Sequence, residues 1–205
     1  MLNYLSVTFP FLVTVTTATA ILPFVNYKID GAPPPVVKKT AIREVAPEKP
    51  KEKRLTCKGC SENEIQTLNF LQDHGVKDKN ALATIMGNIK QESMFVPNIC
   101  EGGNRTSYHN CYGGYGLIQW TSSSRYYGLG NLARKMGMSP SSLSLQLKYM
   151  IHEPQWKRIE YKMKTPGKSI NRYMDYAYSW IGWGIHGART HYAHDYVNRM
   201  ITVEV

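Results

Sequence analysis

Ile85-Met86-Gly87-Asn88-Ile89-Lys90-Gln91-Glu92-Ser93-Met94-Phe95-Val96-Pro97 is the stretch on which the reading of this chain turns. Ala81, Leu82, Ile85, Met86 and Ile89 recur at helical spacing after Asp78, a good N-cap, so a helix starts there and buries that face. Glu92 lies three residues past Ile89, on the same face, and Pro97 is expected to stop the helix. A carboxylate is thereby placed, partly buried, at a helix C-terminus. About twenty residues on comes Gly113-Gly114-Tyr115-Gly116-Leu117-Ile118-Gln119-Trp120, which reads as a glycine-rich turn into a short apolar, strand-like run.

Burial and the negative end of the helix dipole both disfavour an ionised Glu92. Its carboxyl is expected to stay protonated above the ordinary carboxylate range, as suits a general acid that protonates a glycosidic oxygen. Gln119 offers donor and acceptor to sugar hydroxyls or N-acetyl groups, and Tyr112, Tyr115 and Trp120 offer faces for pyranose rings. A second glycine-punctuated aromatic cluster, Tyr176-Ala177-Tyr178-Ser179-Trp180-Ile181-Gly182-Trp183-Gly184, is a candidate third wall of a cleft.

Working outward, Ser61-Glu62-Asn63-Glu64 is a capping box that opens a helix over Ile65, Leu68, Phe70 and Leu71, ending near Gly75. Further helices are expected over Ser124 to Met136, Ser141 to Ile151, Ser169 to Trp180 and Gly187 to Met200. Asn98 to Trp120, rich in Gly, Asn, Ser and Tyr, reads as loop and hairpin. The four cysteines stand at Cys57, Cys60, Cys100 and Cys111. The wide second spacing lacks the close knuckle of structural zinc sites, so no metal is expected, and two local disulfides, Cys57 with Cys60 and Cys100 with Cys111, fit better. Such bridges imply an oxidising location or a mature particle outside the cell.

The N-terminal third has a different composition. Met1 to Tyr27 carries no charge, and Leu5, Val7, Phe9, Phe11, Val13 and Val15 alternate with mostly polar neighbours, the pattern of a β arm that needs a covering partner. The same 1–30 segment also has the length of a membrane span and a small-residue Ala18-Thr19-Ala20 cleavage pattern, although Pro10 and Pro23 interrupt it. An assembly-bound arm and a signal or anchor both remain open. Residues 31–56, with Pro33-Pro34-Pro35, Pro47 and Pro50, read as an extended tether, and residues 57–205 as the compact domain. The basic run Lys49, Lys51, Lys53 and Arg54 is taken as solvated. The formal net charge of +10 suits a polyanionic partner: nucleic acid, membrane surface or cell wall.

The sequence from Ile85 to Pro97, followed by Gly114-Tyr115-Gly116-Leu117-Ile118-Gln119-Trp120-Thr121, resembles the phage tail lysozyme family. More distantly it is similar to goose-type lysozymes and soluble lytic transglycosylases. The likeness covers about residues 61 to 200 and rests on these two motifs. It implies an α+β, mainly α-helical, lysozyme-like domain with a short β-hairpin. It further implies cleavage of the β-1,4 bond between N-acetylmuramic acid and N-acetylglucosamine, with Glu92 as the acid and no cofactor. Ser93, Tyr115, Gly116, Gln119, Trp120, Tyr178 and Trp180 become candidates for the sugar sites. Ala177-Tyr178-Ser179-Trp180 departs from the Ala-Tyr-Asn-Ala-Gly pattern of transglycosylases.

Glu101 and Asp175 are the candidates for a second carboxylate, and neither belongs to a recognisable motif. Without one, the substrate N-acetyl group or the muramyl 6-hydroxyl would serve, the latter giving an anhydro product. The implied partners are bacterial peptidoglycan and, through residues 1–30, other virion tail proteins or a membrane; no nucleic acid is expected. The implied location is the virion, with export to the host periplasm or inner-membrane anchoring as the alternative. A tail component that only binds cell wall is the non-enzymatic alternative.

Overall fold

Ser61 opens the helical part of the structure as a true capping box: its Oγ accepts from the Glu64 backbone N–H, and the Glu64 carboxylate accepts from the Ser61 N–H. The computed structural model describes residues 52–204. The N-terminal arm or signal and nearly all of the tether therefore lie outside the described residues. In chain order the elements are β1 (Lys53–Cys57), α1 (Glu62–Asp73), α2 (Lys79–Ser93), a 3-10 turn (Tyr108–Asn110), α3 (Ser123–Met136), α4 (Leu143–His152), α5 (Pro154–Lys164), α6 (Ile170–Ile181), α7 (Arg189–Arg199) and β2 (Met200–Glu204). The fold is α+β and mainly helical, as the resemblance implied. No helix among the described residues is long and apolar enough to cross a membrane.

α2 is the axis of the core. Every residue from Ala81 to Ile89 is buried, polar Thr84 and Asn88 included, so the helix is enclosed all round rather than along one stripe. Thr84 and Asn88 escape an unpaired donor by bonding back to the carbonyls of Asn80 and Thr84. α1, α6 and α7 pack around it. The seam with α7 is tight at Gly87, where a Cβ would stand 2.7 Å from the Ala193 nitrogen and 2.8 Å from the Arg189 oxygen. Only glycine permits this approach of two helix backbones.

Three expectations need correcting. The first concerns where the domain begins: β1 lies inside the stretch assigned to the tether and pairs antiparallel with β2, Lys53 opposite Glu204 through Cys57 opposite Met200. Its partner strand lies at the far end of the chain, and the buried Gln72 amide clamps it by accepting from the Leu55 N–H at 2.7 Å and donating to its C=O at 2.8 Å. Arg54 of the basic run is not simply solvated; it pairs with Asp73 at 2.7 Å. The second concerns α2, which stops at Ser93 and not at Pro97. Met94 and Phe95 turn left-handed at φ 51° and 61°, and Ser93 Oγ donates to the Leu117 carbonyl at 2.8 Å.

The third concerns Gly116-Leu117-Ile118-Gln119, which is a tight turn rather than a strand. Tyr115 and Trp120 form a single antiparallel bridge around it, with φ 75° at Gly116 and 50° at Gln119. The buried Gln146 side chain holds this turn: its Oε1 accepts from the Leu117 N–H at 2.9 Å, while its Nε2 donates to Pro97 and Pro140 carbonyls. The rest of Asn98 to Trp120 is loop with isolated bridges, and regular sheet among the described residues is confined to β1 and β2. Disulfides join Cys57 to Cys60 and Cys100 to Cys111. α5 was not expected at all. Pro154 reads as a breaker but occupies the first turn, where its missing N–H costs nothing, and Trp156, Ile159 and Met163 supply the buried face.

Candidate active site

Glu92, in the last turn of α2, lines an open cleft of about 780 Å³ together with Glu101, Gln119, Arg125, Trp183 and Arg189. The Glu92 side chain is 14% exposed and that of its partner Arg189 only 5%. Arg189 Nη2 donates to Glu92 Oε1 in a close ion pair. Burial pushes the Glu92 carboxyl above the ordinary carboxylate range, and Arg189, followed by Arg125, pulls against that shift without cancelling it.

Arg189 is itself held on several sides. Its Nη1 donates to the Ile185 and His186 carbonyls at 3.1 and 2.7 Å, and its guanidinium lies 4.7 Å from the centre of the Trp183 ring. Gln91, the neighbour of Glu92, accepts from the Ala188 N–H at 2.9 Å and so ties the start of α7 to the end of α2. With the Gly87 seam, these contacts fix the guanidinium beside the carboxyl.

Arg125, near the start of α3, is anchored from behind by Glu153, which joins α4 to α5. The Glu153 carboxylate is fully buried and accepts four bonds: Arg125 Nε and Nη2, each at 2.8 Å, Trp180 Nε1 at 2.8 Å and Trp120 Nε1 at 3.2 Å. A buried carboxylate is tolerable only with its lone pairs filled, and here all are.

This network corrects the expected role of both tryptophans. Trp120 and Trp180 are buried to within 1% and pack the core with their N–H groups turned to Glu153. Tyr115 is fully buried, its hydroxyl bonded to Ser141 Oγ at 2.5 Å and the Thr106 carbonyl. Ser93 is buried as the staple to Leu117, and Gly116 is buried against Gln146. All five support the cleft wall from behind. Apolar and aromatic residues in a glycine-rich run read alike as core or as surface, so the sequence alone did not separate them.

Gln119 and Glu101 do reach the cleft with Glu92. Gln119 Nε2 donates to the Gly116 carbonyl at 3.0 Å, and Glu101 Oε2 accepts from the Gly114 N–H at 3.0 Å, so both side chains are tethered to the turn. Asp175 does not line this cleft. It is exposed beside Arg172 in a neighbouring depression with Tyr178, which is 55% exposed and packs edge-on against Trp183 at 5.0 Å. Arg125, Glu153 and Arg189 were missed from sequence because none belongs to a short motif and their partners are distant in the chain. Trp183 was visible within the second aromatic cluster.

The chain matches the phage tail lysozyme family over residues 62–199, a span running from the first residue of α1 to the last of α7. It belongs to that family. Both motifs, the cleft and the Glu153 network fall inside the matched span. A relative, morphogenesis protein 1 of Bacillus phage B103, is 31% identical over 99 residues, which is 48% of this chain and 25% of that protein. The chain thus spans only about a quarter of that relative's length. No solved structure matches the chain.

Proposed function

We propose that this domain is a muramidase that hydrolyses the β-1,4 bond between N-acetylmuramic acid and N-acetylglucosamine, with Glu92 as the general acid. The observation that carries the reading is a carboxyl that burial pushes above the ordinary carboxylate range, set in one open cleft with a second carboxyl group, that of Glu101. Arginine can only donate, so the Glu92 oxygen it holds is the acceptor, and the acidic proton belongs on Oε2. That proton passes to the glycosidic oxygen as the bond to the anomeric carbon breaks. Glu101 then takes a proton from the water that attacks this carbon. Arg125 and Gln119 supply donors for the sugar substituents, and Trp183, backed edge-on by Tyr178, supplies the aromatic wall.

The phage setting of the family and of the relative supports a role in penetrating the cell wall, with the protein carried in the virion. Mass spectrometry of fragments released from purified peptidoglycan tests the chemistry. Reducing-end N-acetylmuramic acid is the expected product. Anhydro-muramyl ends would remove the water-activating role of Glu101, and reducing-end N-acetylglucosamine would overturn the bond assignment.

A further inference from the structure

A second groove, of about 680 Å³, runs between α3 and the 3-10 turn, away from Glu92. Its helix wall presents Tyr127, Asn131 and Arg134, spaced i, i+4 and i+7 and so aligned on one face. The loop wall presents His109 and Tyr112. Tyr112 is 100% exposed and Tyr127, which packs edge-on against Tyr126, is 65% exposed, so two large aromatic side chains are left largely in solvent. Gly130 opens the floor between them: a Cβ there would meet the Tyr108 hydroxyl at 2.6 Å. The size falls within the range of small-molecule sites.

Three features identify the occupant. Exposed tyrosine rings flanked by an amide and a guanidinium match a ligand with apolar ring faces and a rim of hydroxyl and acyl groups, which is a pyranose chain. No Asp or Glu lines the groove, whereas Arg134 and His109 do, so an acid-bearing sugar polymer is favoured over a neutral one. The groove and the cleft are bridged by a third depression that shares a lining residue with each. Glu101 lines both the cleft and the depression beside it, and that depression shares Tyr112 with the groove.

We infer that the Tyr112–Tyr127 groove is a second glycan site, which holds the same acidic peptidoglycan strand at a distance from the bond being cut. This inference rests on the muramidase reading for the identity of the polymer. Its effect is multivalent: a strand held at two places dissociates more slowly than one held at the cleft alone.

The test uses the full chain carrying Glu92→Gln, so that the polymer stays intact during binding. Tyr112→Ala with Tyr127→Ala is expected to lower retention on insoluble peptidoglycan about tenfold, the loss typical of removing aromatic anchors. Thermal unfolding should be unchanged because both side chains are exposed. With Glu92 restored, the same pair should leave the cleavage rate of a soluble muramyl tetrasaccharide unaltered. Arg134→Gln should weaken binding to peptide-stripped muramyl strands but not to neutral chitohexaose. Undiminished retention of the double variant overturns the proposal, as does equal weakening on chitohexaose by Arg134→Gln. If the unsubstituted protein releases no fragments while the double variant still loses retention, the muramidase reading falls and the groove stands.

Discussion

Gly87→Ala should destabilise this protein, although the same change in an ordinary buried or exposed helix interior stabilises it by about 1 kcal/mol. The added Cβ would meet the Ala193 nitrogen at 2.7 Å and the Arg189 oxygen at 2.8 Å. Both are backbone atoms of α7, so no side-chain rotation relieves the contact. Reaching ordinary van der Waals separation requires α2 and α7 to part by about 0.7 Å along a fully buried seam. Overpacking of that kind costs about 1–3 kcal/mol, and two backbone contacts place this site at the upper end. After the helix-propensity gain, a net loss of about 1–2 kcal/mol remains.

The same displacement moves Arg189 relative to Glu92, because the two sit on the two helices being separated. A shift of that size at the proposed acid and its partner is expected to lower kcat about tenfold, given that 1 Å of misplacement costs about a hundredfold. Urea unfolding gives the first quantity and peptidoglycan turbidity loss the second. A variant as stable as the parent, or more so, with full activity would refute the claim that this seam positions the site.

Other consequences follow from the buried ions and the loop staple. Glu153→Gln removes the charge that neutralises Arg125, whose guanidinium is largely buried but reaches the cleft, so denaturant unfolding should report a loss of about 3 kcal/mol, the lower end for a broken buried pair. Arg189→Gln removes the group that pulls the Glu92 carboxyl down and leaves burial to act alone. The carboxyl then keeps its proton to higher pH, and the alkaline fall of kcat/KM should move upward; an unmoved or lowered limb would contradict the pairing. Joint replacement of Cys100 and Cys111 by Ser opens an 11-residue separation and should cost about 2–3 kcal/mol by the same unfolding assay.

Signals in the chain are legible where their cause is local. The Ser61 capping box and the Asp78 N-cap both start helices where expected, because capping is decided within four residues. Elements decided at long range were not legible. β1 exists because β2, nearly 150 positions away, offers it a partner, and Lys53-Arg54-Leu55-Thr56-Cys57 alone shows no strand pattern. The site divides in the same way. Glu92 was legible from its place at the end of an apolar-periodic helix, and Gln119 and Glu101 from the glycine-rich loop.

The tryptophans illustrate the opposite limit. Trp120 and Trp180 read from sequence as candidates for the sugar sites, with core packing an equal alternative for Trp120, yet both point their N–H groups at a carboxylate that no motif announces. Glu153 decides their orientation, and in the sequence it is only an acidic residue ahead of a proline. Arg189 likewise gains its meaning from a helix crossing that Gly87 permits, not from its neighbours in the chain.

In the proposed reaction Glu92 donates the proton that breaks the glycosidic bond. Release of soluble fragments from purified peptidoglycan by Glu92→Gln, followed by chromatography beside the unsubstituted protein, tests it most directly. The substitution keeps the shape of the side chain and removes the acid, so the rate should fall by about a hundredfold to ten-thousandfold. Fragment release at the unsubstituted rate by a folded Glu92→Gln protein would rule out Glu92 as the acid.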